Sequence, residues 1–273
     1  MKISIIGCGW LGLPLGAALV ASGHQVVGST TRAEKLPDVQ AAGIEAHILR
    51  LDAEGPQGDL APLLQAETLI VNVPPGGRKA KTVPPYAQKL RPVWQALPKS
   101  PVKHILFVSS TSVLGGEGII TESDVPKPER ASAKALLDVE QELAQLPVAQ
   151  TILRLSGLVG GTRHPGRFLA GRKQLAGGQQ AVNLIHRDDV IGIIEAILDQ
   201  QAWGLTLHAA SAVHPTREAY YTAAAKALWL EPPTFDPADQ HPGRIIDSSL
   251  LRQTLGYRFR YDDPADMLAA LDV

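Results

Sequence analysis

Three glycines near the start of the chain are spaced as in a phosphate-binding turn. The G-x-G-x-x-G pattern follows an apolar run at residues 3–6 and precedes LPLGAALVASGH, which is patterned as a helix. In such a turn the first glycine permits the bend, the second lets the backbone approach a pyrophosphate, and the third lets the helix pack on the strand. The helix N-terminus would offer N–H groups and a positive dipole end to the phosphates. The alternative is a glycine-rich turn without a ligand. The predicted dinucleotide contacts are Gly7, Gly9, Trp10, Leu11 and Gly12.

The end of the second apolar segment bears on which dinucleotide is bound. An acidic residue there would bind the 2′-hydroxyl of an NAD ribose, but the chain reads GSTTR at residues 28–32. Hydroxyls followed by a guanidinium suit the 2′-phosphate of NADP better. Thr30 and Arg32 therefore favour NADP over NAD, unless Arg32 is a solvated residue at a helix start. Asp52 is placed either at the adenine edge or in a turn. Val73 and Pro74, where the fourth predicted strand ends, complete the predicted cofactor site.

A basic loop in the second half of the chain could bind an anion. Residues 162–167 read TRHPGR, and guanidinium and imidazole groups suit a phosphate, diphosphate or carboxylate. Arg163, His164 and Arg167 are therefore predicted substrate contacts, with a solvated loop as the alternative for the two arginines. His186 is the other imidazole predicted to titrate near a substrate, and its alternative is a packing role. Asp189 is predicted to cap the helix VIGIIEAIL.

Strand-like and helix-like segments must position these residues, and they alternate through the first half of the chain. Apolar, β-branched runs predict strands at residues 3–6, 25–27, 44–51, 68–73, 104–108 and 149–155, with helices near 33–41, 57–66, 84–97 and 129–146. This alternation predicts an α/β fold with a Rossmann-type doubly wound parallel sheet. Residues 1–155 are predicted to form the dinucleotide-binding domain. Residues 156–273 are predicted to form a smaller α/β substrate lobe, with segments that cross back to the sheet.

Composition excludes several classes of function. The 273 residues are 45% hydrophobic, and 26 Lys and Arg against 27 Asp and Glu give a formal net charge of −1. This balance provides no basic footprint for nucleic acid or an anionic membrane, and no run reaches the roughly twenty apolar residues of a membrane helix. The single cysteine, Cys8, rules out an intramolecular disulfide and fits a reducing, cytoplasmic compartment. The histidines show no metal-ligand spacing, so no metal is expected.

Several longer segments together resemble the short-chain dehydrogenase/reductase superfamily, in its extended branch of nucleotide-sugar epimerases and dehydratases. Each segment is modestly similar to a family motif, and their order and spacing strengthen the resemblance across nearly the whole chain. Within the branch, the chain is most similar to an atypical bacterial subgroup of epimerase-like proteins. The basic loop lies where the family's substrate loop lies. The segments are FVSSTSVLGG (107–116), TESDVPKPE (121–129), LRLSGLVGG (153–161), LIHRDDVIGIIEAIL (184–198) and IIDSSLLRQTLGYRFRY (245–261).

The resemblance implies where a reaction centre would lie. In the family a serine or threonine after the fifth strand orients the substrate, which corresponds to Ser110, and Ser112 beside it is assigned to substrate. A tyrosine acts as general acid/base, and a lysine one helical turn later lowers its pKa. Glu140 aligns with a family glutamate, which puts Ser132 at the tyrosine position and Leu136 at the lysine position. The resemblance therefore implies an atypical site that lacks both residues, because an alkyl hydroxyl is far too weak an acid to replace a phenol.

Two principal functions remain open. One is an NAD(P)-dependent epimerase, dehydratase or oxidoreductase with a non-standard site, acting on a small anionic or nucleotide-sugar-like substrate. The other is a catalytically inactive NAD(P)-binding sensor or regulatory protein. A reductase of the 6-phosphogluconate or hydroxyacid type would suit the glycine turn, but such enzymes append a largely helical domain, and the C-terminal half here is mixed α/β.

Two further expectations concern the helices at 84–97 and 129–146. Family members often dimerise through these helices, and a leucine stripe on the second helix would permit a homodimer. The same stripe is also what a helix covering a sheet needs. Tyr86 is expected either to reach the nicotinamide or, as the favoured alternative, to be a half-buried surface residue. The stripe consists of Leu136, Leu137, Leu143 and Leu146.

Overall fold

The fold is built on an eight-stranded, mostly parallel sheet. The computed structural model describes residues 1–76 and 86–271. The strand order is β11-β8-β6-β5-β1-β2-β3-β4, in which β1 pairs in parallel with both β2 and β5, so the chain order reverses at β1. The predicted fold class is confirmed. The strands are β1 (Lys2–Ile6), β2 (Gln25–Thr30), β3 (Glu45–Asp52), β4 (Gly55–Gly58), β5 (Thr68–Val71), β6 (His104–Ser110), β7 (Gly118–Ile120), β8 (Ala149–Leu155), β9 (Gly157–Val159), β10 (Leu184–His186), β11 (Thr206–Ala209) and β12 (Arg244–Ile246).

Helices follow most of the predicted strands. The helix predicted near 33–41 is a 3-10 turn followed by α2, and those near 84–97 and 129–146 are α3 and α4, although residues 84 and 85 lie outside the described residues. In the described part of the chain, no helix has both the length and the apolar character needed to span a bilayer. The helices are α1 (Gly12–Ala21), α2 (Leu36–Ala41), α3 (Tyr86–Ala96), α4 (Ala131–Leu143), α5 (Gly166–Leu169), α6 (Arg187–Asp199), α7 (Arg217–Ala227), α8 (Ser249–Leu255) and α9 (Pro264–Ala269).

The prediction of a helix at residues 57–66 is wrong. The segment instead contains the end of β4, which pairs antiparallel with β3, and a 3-10 turn at Ala61–Leu64. Gly58 has φ 111°, and a Cβ there would lie 2.2 Å from the carbonyl oxygen of Ile48. A positive φ and so close an approach to a neighbouring strand fit glycine alone and exclude a helical conformation. Pairing with β3 therefore overrides the apolar pattern of the sequence.

The leucine stripe on α4 packs inside the protein. Leu136 and Leu143 are 6% and 0% exposed, while Leu137 is half-buried on α4 and Leu146 half-buried just after it. The two buried leucines are therefore not available to a partner subunit, and the homodimer stays a prediction. For these two residues the alternative holds, since they belong to the buried face of the helix.

The chain forms two compact units. Unit 1 comprises residues 1–113, 128–153 and 197–206, and unit 2 comprises residues 114–127, 154–196 and 207–273. Unit 1 contains β1 to β6 with α1 to α4. Unit 2 contains two small parallel sheets, in which β9 pairs with β10 and β7 pairs with β12, together with most of the later helices.

Asp189 anchors the C-terminal segment of unit 2. The side chain is fully buried, and its carboxylate accepts hydrogen bonds from the Tyr257 hydroxyl (3.1 Å) and from the backbone N–H groups of Arg260 (2.6 Å) and Tyr261 (3.0 Å). The prediction that Asp189 caps a helix is wrong, because α6 begins two residues earlier and the carboxylate is used by a distant segment. An acidic residue near a helix start predicted a local cap, whereas the carboxylate makes a tertiary contact.

We expect the stability of the protein to fall below about pH 6.5 because of His208. This residue is fully buried, its ring lies 3.4 Å from Nη1 of Arg154, and burial followed by that guanidinium lowers its pKa to about 4. The unfolded chain takes up the proton first, so the contribution of neutral His208 is complete above the unfolded pKa and is lost as the pH falls towards 4. The expected loss is roughly 3 kcal/mol.

Urea denaturation at several pH values would measure this loss, with His208→Gln as the matched variant. Burial raises the pKa of Glu122, whose carboxylate accepts the backbone N–H of His208, and this opposes part of the loss in both proteins. The decisive quantity is therefore the difference between wild type and His208→Gln in how steeply the free energy of unfolding changes with pH. Equal slopes between pH 6.5 and 4 would contradict the assignment.

Candidate functional site

A cavity in unit 1 opens where β1, β2, β3 and β5 end. Its volume is about 600 Å³, which is typical of small-molecule sites at roughly 300–1,000 Å³. It lies beside β1, where the strand order reverses, and open α/β sheets bind ligands at that position. Leu11 and Gly12 do not line it. The sequence-predicted cofactor residues that do line it are Gly7, Gly9, Trp10, Thr30, Arg32, Asp52, Val73 and Pro74.

The three glycines of the turn have different surroundings. Gly7 has φ 107°, and a Cβ there would lie 2.5 Å from the carbonyl oxygen of Asn72. A Cβ on Gly12 would lie 2.2 Å from the carbonyl oxygen of Gly7. A Cβ on Gly9, in contrast, would meet nothing within 4 Å among the described residues. Gly7 and Gly12 are therefore needed for the turn to form, whereas Gly9 leaves space on the cavity side.

Two polar residues that the sequence did not single out hold the turn in place. The backbone N–H of Gly7 donates to Oγ of Ser29 (3.2 Å), and the amide Nδ2 of Asn72 donates to the carbonyl oxygen of Gly7 (3.2 Å). Both residues line the cavity, at the ends of β2 and β5. Burial raises the pKa of the Cys8 thiol to about 12, so Cys8 remains protonated and acts as a small packing residue. The sequence signal that could have identified Ser29 and Asn72 is a polar residue at the end of a buried strand.

Helix α1 begins at the cavity and has no side-chain cap. Leu11 occupies the N-cap position without a side-chain hydrogen bond, and its side chain is 5% exposed. Apolar packing therefore holds the start of the helix, and the N-cap side chain does not compete with an incoming anion for the first-turn N–H groups. The contribution of Leu11 at this end of the cavity is thus confined to its backbone.

Tyr86 holds the backbone just after β5 in place at Val73. It is 1% exposed, its hydroxyl donates to the carbonyl oxygen of Val73, and burial raises its pKa well above the usual range. The expectation of a half-buried surface tyrosine is wrong. Because Val73 lines the cavity, this hydrogen bond positions one wall of the candidate cofactor site.

The serines of the implied reaction centre lie on β6, just after it, and on α4. Ser110 ends β6, where its hydroxyl accepts the backbone N–H of Ser112 (3.1 Å), and Ser132 is half-buried in the first turn of α4. Next to Ser110, the buried Ser109 hydroxyl donates to the carboxylate of the buried Glu140 (2.5 Å). This bond ties α4 to β6 and fixes the rotation of the helix.

In unit 2 the two predicted histidines are buried and the two arginines are exposed. Nδ1 of His164 accepts the backbone N–H of Gly166 (3.0 Å), and Nδ1 of His186 accepts that of Asp188 (3.2 Å). Burial lowers the pKa of each ring, so both imidazoles are neutral near pH 7 with the proton on Nε2. His186 also packs against the Tyr261 ring, with centroids 4.1 Å apart. Arg163 and Arg167, both in the basic loop, are exposed.

No group of three or more His, Cys, Asp and Glu side chains among the described residues is arranged to hold a metal ion.

Comparison with known proteins gives full-length relatives and several structural neighbours. The chain is 37% identical to Protein YeeZ of Escherichia coli (strain K12) over 271 residues, covering 97% of this chain and 98% of that protein. It matches no protein-family model. A Methylobacillus flagellatus structure named for the NAD-dependent epimerase/dehydratase class has a TM-score of 0.75 at 26% identity, covering 98% of this chain and 96% of that one.

A more distant neighbour was solved with ligands bound. MoeE5, in complex with UDP-glucuronic acid and NAD, has a TM-score of 0.79 at 20% identity, covering 99% of this chain and 97% of that one. At this identity the likeness shows a shared fold. The full-length identity to Protein YeeZ and the shared architecture together show that the chain belongs to the family of Protein YeeZ, within the extended short-chain dehydrogenase/reductase superfamily of NAD-dependent epimerases and dehydratases.

Proposed function

We propose that unit 1 binds a nicotinamide dinucleotide in the cavity at the glycine turn. The observation that carries this proposal is the contrast among the three glycines: Gly7 and Gly12 are tightly packed, while the side of Gly9 is open. Packing explains a glycine at the first and last positions. At position 9, a glycine is explained by the space that it leaves for an approaching pyrophosphate. Structural neighbours solved with NAD support the same ligand class.

We also propose that NADP is preferred over NAD. Strand β2 ends at Thr30, followed by Thr31 and Arg32, and all three line the cavity. No carboxylate stands at this position to bind a 2′-hydroxyl, and the Arg32 guanidinium suits a 2′-phosphate. The neighbours crystallised with NAD differ from this chain at most positions, so the residues around Thr30 carry the argument.

The proposed activity is that of an epimerase, dehydratase or oxidoreductase on a small anionic or nucleotide-sugar-like substrate. MoeE5 was solved with UDP-glucuronic acid, a substrate class that places a diphosphate and a carboxylate on one molecule. Exposed guanidinium groups and neutral imidazole N–H donors in unit 2 suit such groups. Ser110 and Ser132 are the proposed reaction-centre residues. The proposed substrate contacts are Ser112, Arg163, His164, Arg167 and His186.

A second candidate function is favoured by the rotation of α4. Leu136 and Glu140 share the buried face of this helix, and Glu140 bonds Ser109, whereas Lys134 is exposed. A lysine acting on a bound cofactor would need the position of Leu136, and Lys134 points elsewhere. This geometry supports a site without the family's tyrosine and lysine, and hence a protein that binds the dinucleotide as a sensor or regulator.

Calorimetric titration with NAD, NADH, NADP and NADPH, after removal of any co-purified nucleotide, tests the binding proposal. Binding of one phosphate form supports it, and no binding of any form at millimolar concentration overturns it. Nicotinamide absorbance during incubation with UDP-sugars then separates the two functions. A change in cofactor redox state or a converted sugar identifies an enzyme, and a loaded protein that converts none of them favours the sensor.

Replacing Ser132 by alanine is expected to leave both the fold and cofactor affinity unchanged. Ser132 does not line the cavity, and loss of a half-buried hydroxyl in the first turn of a helix should change stability by no more than about 0.5 kcal/mol. Thermal unfolding and NADPH titration measure the two quantities. A variant that folds but no longer binds NADPH would make Ser132 a cofactor ligand instead of a relic of the reaction centre.

A further inference from the structure

The cavity is lined by more cations than the glycine turn and β2 supply. Lys35, Arg50 and Lys89 line the cavity together with Arg32, and Asp52 is the one carboxylate among its lining residues in the part of the chain that the structure describes. Such an excess of positive charge suits a group carrying more than a pyrophosphate. Which of these cations can contact a bound phosphate depends on the ion pairs that each already makes.

Arg32 and Lys35 have partners that lie outside the cavity. Nε of Arg32 is 3.7 Å from Glu34, and Nζ of Lys35 is 2.8 Å from Asp38. Neither acidic residue lines the cavity, and exposed pairs of this kind contribute little energy. Both cations can therefore turn to a bound anion at small cost.

Arg50 differs because its partner is the cavity carboxylate itself. Its Nε lies 3.0 Å from Oδ2 of Asp52, the side chain of Asp52 is 18% exposed, and that of Arg50 is 62% exposed. Arg50 and Asp52 are two residues apart on β3, so both side chains point to the same face of the strand. The pair therefore cancels the one negative charge that would repel an added phosphate.

The contact with Asp52 uses only one of the three nitrogens of the guanidinium. Nε takes part in the ion pair and in the hydrogen bond to Asp52. Neither terminal nitrogen of Arg50 donates a hydrogen bond to any residue within 1–76 or 86–271. Guanidinium groups bind phosphate through two parallel N–H donors, and Nη1 and Nη2 are available for that purpose.

From this geometry we propose that Arg50 is a specificity-determining residue that selects NADP over NAD. It acts in two ways. Its terminal nitrogens donate to the 2′-phosphate of the adenosine ribose, and its Nε shields that phosphate from Asp52. The proposal rests on the proposed dinucleotide site and assigns its phosphate selectivity to β3 as well as to Arg32. Arg32 alone would leave Asp52 uncompensated at the cavity wall.

The test compares dissociation constants for NADPH and NADH, by nicotinamide fluorescence, in four proteins: wild type, Arg50→Gln, Asp52→Asn and the double variant. Arg50→Gln is expected to weaken NADPH about 10-fold or more and NADH by no more than about twofold, since charge-assisted bonds to phosphate are lost. Asp52→Asn is expected to tighten NADPH binding, because it removes the carboxylate charge that repels the 2′-phosphate and frees Arg50 from its ion pair. The double variant should recover about threefold or more of the NADPH affinity lost by Arg50→Gln. Lys103→Ala, an exposed cation paired with Glu67 outside the cavity, is the matched control.

Equal weakening of NADPH and NADH in Arg50→Gln would overturn the proposal and make Arg50 a general adenosine contact. Unchanged NADPH affinity in that variant would overturn it as well. A wild type that binds both dinucleotides equally would refute phosphate selection by Arg50 while leaving the dinucleotide site intact. A wild type that binds neither would refute the site itself. The four-protein set therefore separates failure of this proposal from failure of the proposed function.

Discussion

Replacing Gly9 by aspartate is expected to remove measurable NADPH binding without unfolding the protein. A Cβ at residue 9 meets nothing within 4 Å among the described residues, and Gly9 does not have a positive φ, so the side chain fits the unliganded fold without strain. The carboxylate would enter the space proposed for the pyrophosphate and repel it. Loss of close approach together with charge repulsion should weaken binding by about 100-fold or more. Titration calorimetry and thermal unfolding measure the two effects.

Gly12→Ala is the matched control, because its effect should fall on the fold. The added methyl would lie 2.2 Å from the carbonyl oxygen of Gly7, which is backbone that cannot turn aside. We expect about 1–3 kcal/mol of destabilisation, as for overpacked cores. If Gly9→Asp bound NADPH with wild-type affinity, the interpretation of the turn as a pyrophosphate site would be wrong. If Gly9→Asp unfolded the protein instead, Gly9 would be required for the fold and not for ligand binding.

Asp189→Ala is expected to destabilise the protein by about 2–4 kcal/mol, because three donors lose their common acceptor. The donors are the Tyr257 hydroxyl and the N–H groups of Arg260 and Tyr261, and the carboxylate that serves them is fully buried. Asp189→Asn keeps one acceptor oxygen and should show an intermediate loss. Urea denaturation gives the free energy of unfolding for each variant.

The neighbouring Asp188 provides the control for this experiment. Its side chain is 36% exposed, and its ionic contacts among the described residues are long, 3.6 Å to Arg187 and 3.8 Å to His186. Asp188→Ala should therefore change stability by no more than about 0.5 kcal/mol. Equal losses at the two positions would show that helix-start charge, which both residues share, explains the result better than the anchoring of the C-terminal segment.

Much of the fold could be predicted because its signals are local. A strand buried on both faces reads as an apolar run whatever lies beside it, so β1, β5 and β8 were found with bounds close to those observed. The segment at 57–66 was missed for the opposite reason. Its apolar residues fit a helix, and only the pairing of β4 with β3 selects the extended conformation. The short strands β7 and β12 also depend on each other, since their partners are more than a hundred residues apart.

The candidate site likewise has features that the sequence predicted and features that it did not. The spacing of Gly7, Gly9 and Gly12 was readable because a turn between a strand and a helix is a local structure. Ser29 and Asn72, which hold that turn, were not singled out, because nothing local distinguishes them from other polar residues that end strands. The shielding of Asp52 by Arg50 could not be deduced either, since two side chains on the same strand face can pair or point apart.

The order of residues is enough to establish the alternation of strands and helices, the glycine turn and the absence of a tyrosine from residues 128–146. These are properties of neighbouring residues, and backbone geometry and hydrophobic periodicity act over that range. Three other features depend on the folded protein: which face of α4 is buried, the bonding of Asp189 to the C-terminal segment, and the burial of Tyr86. Each of these outcomes is set by contacts between segments distant in the chain. Burial free energy and hydrogen-bond satisfaction at those contacts outweigh the local preferences that the sequence displays.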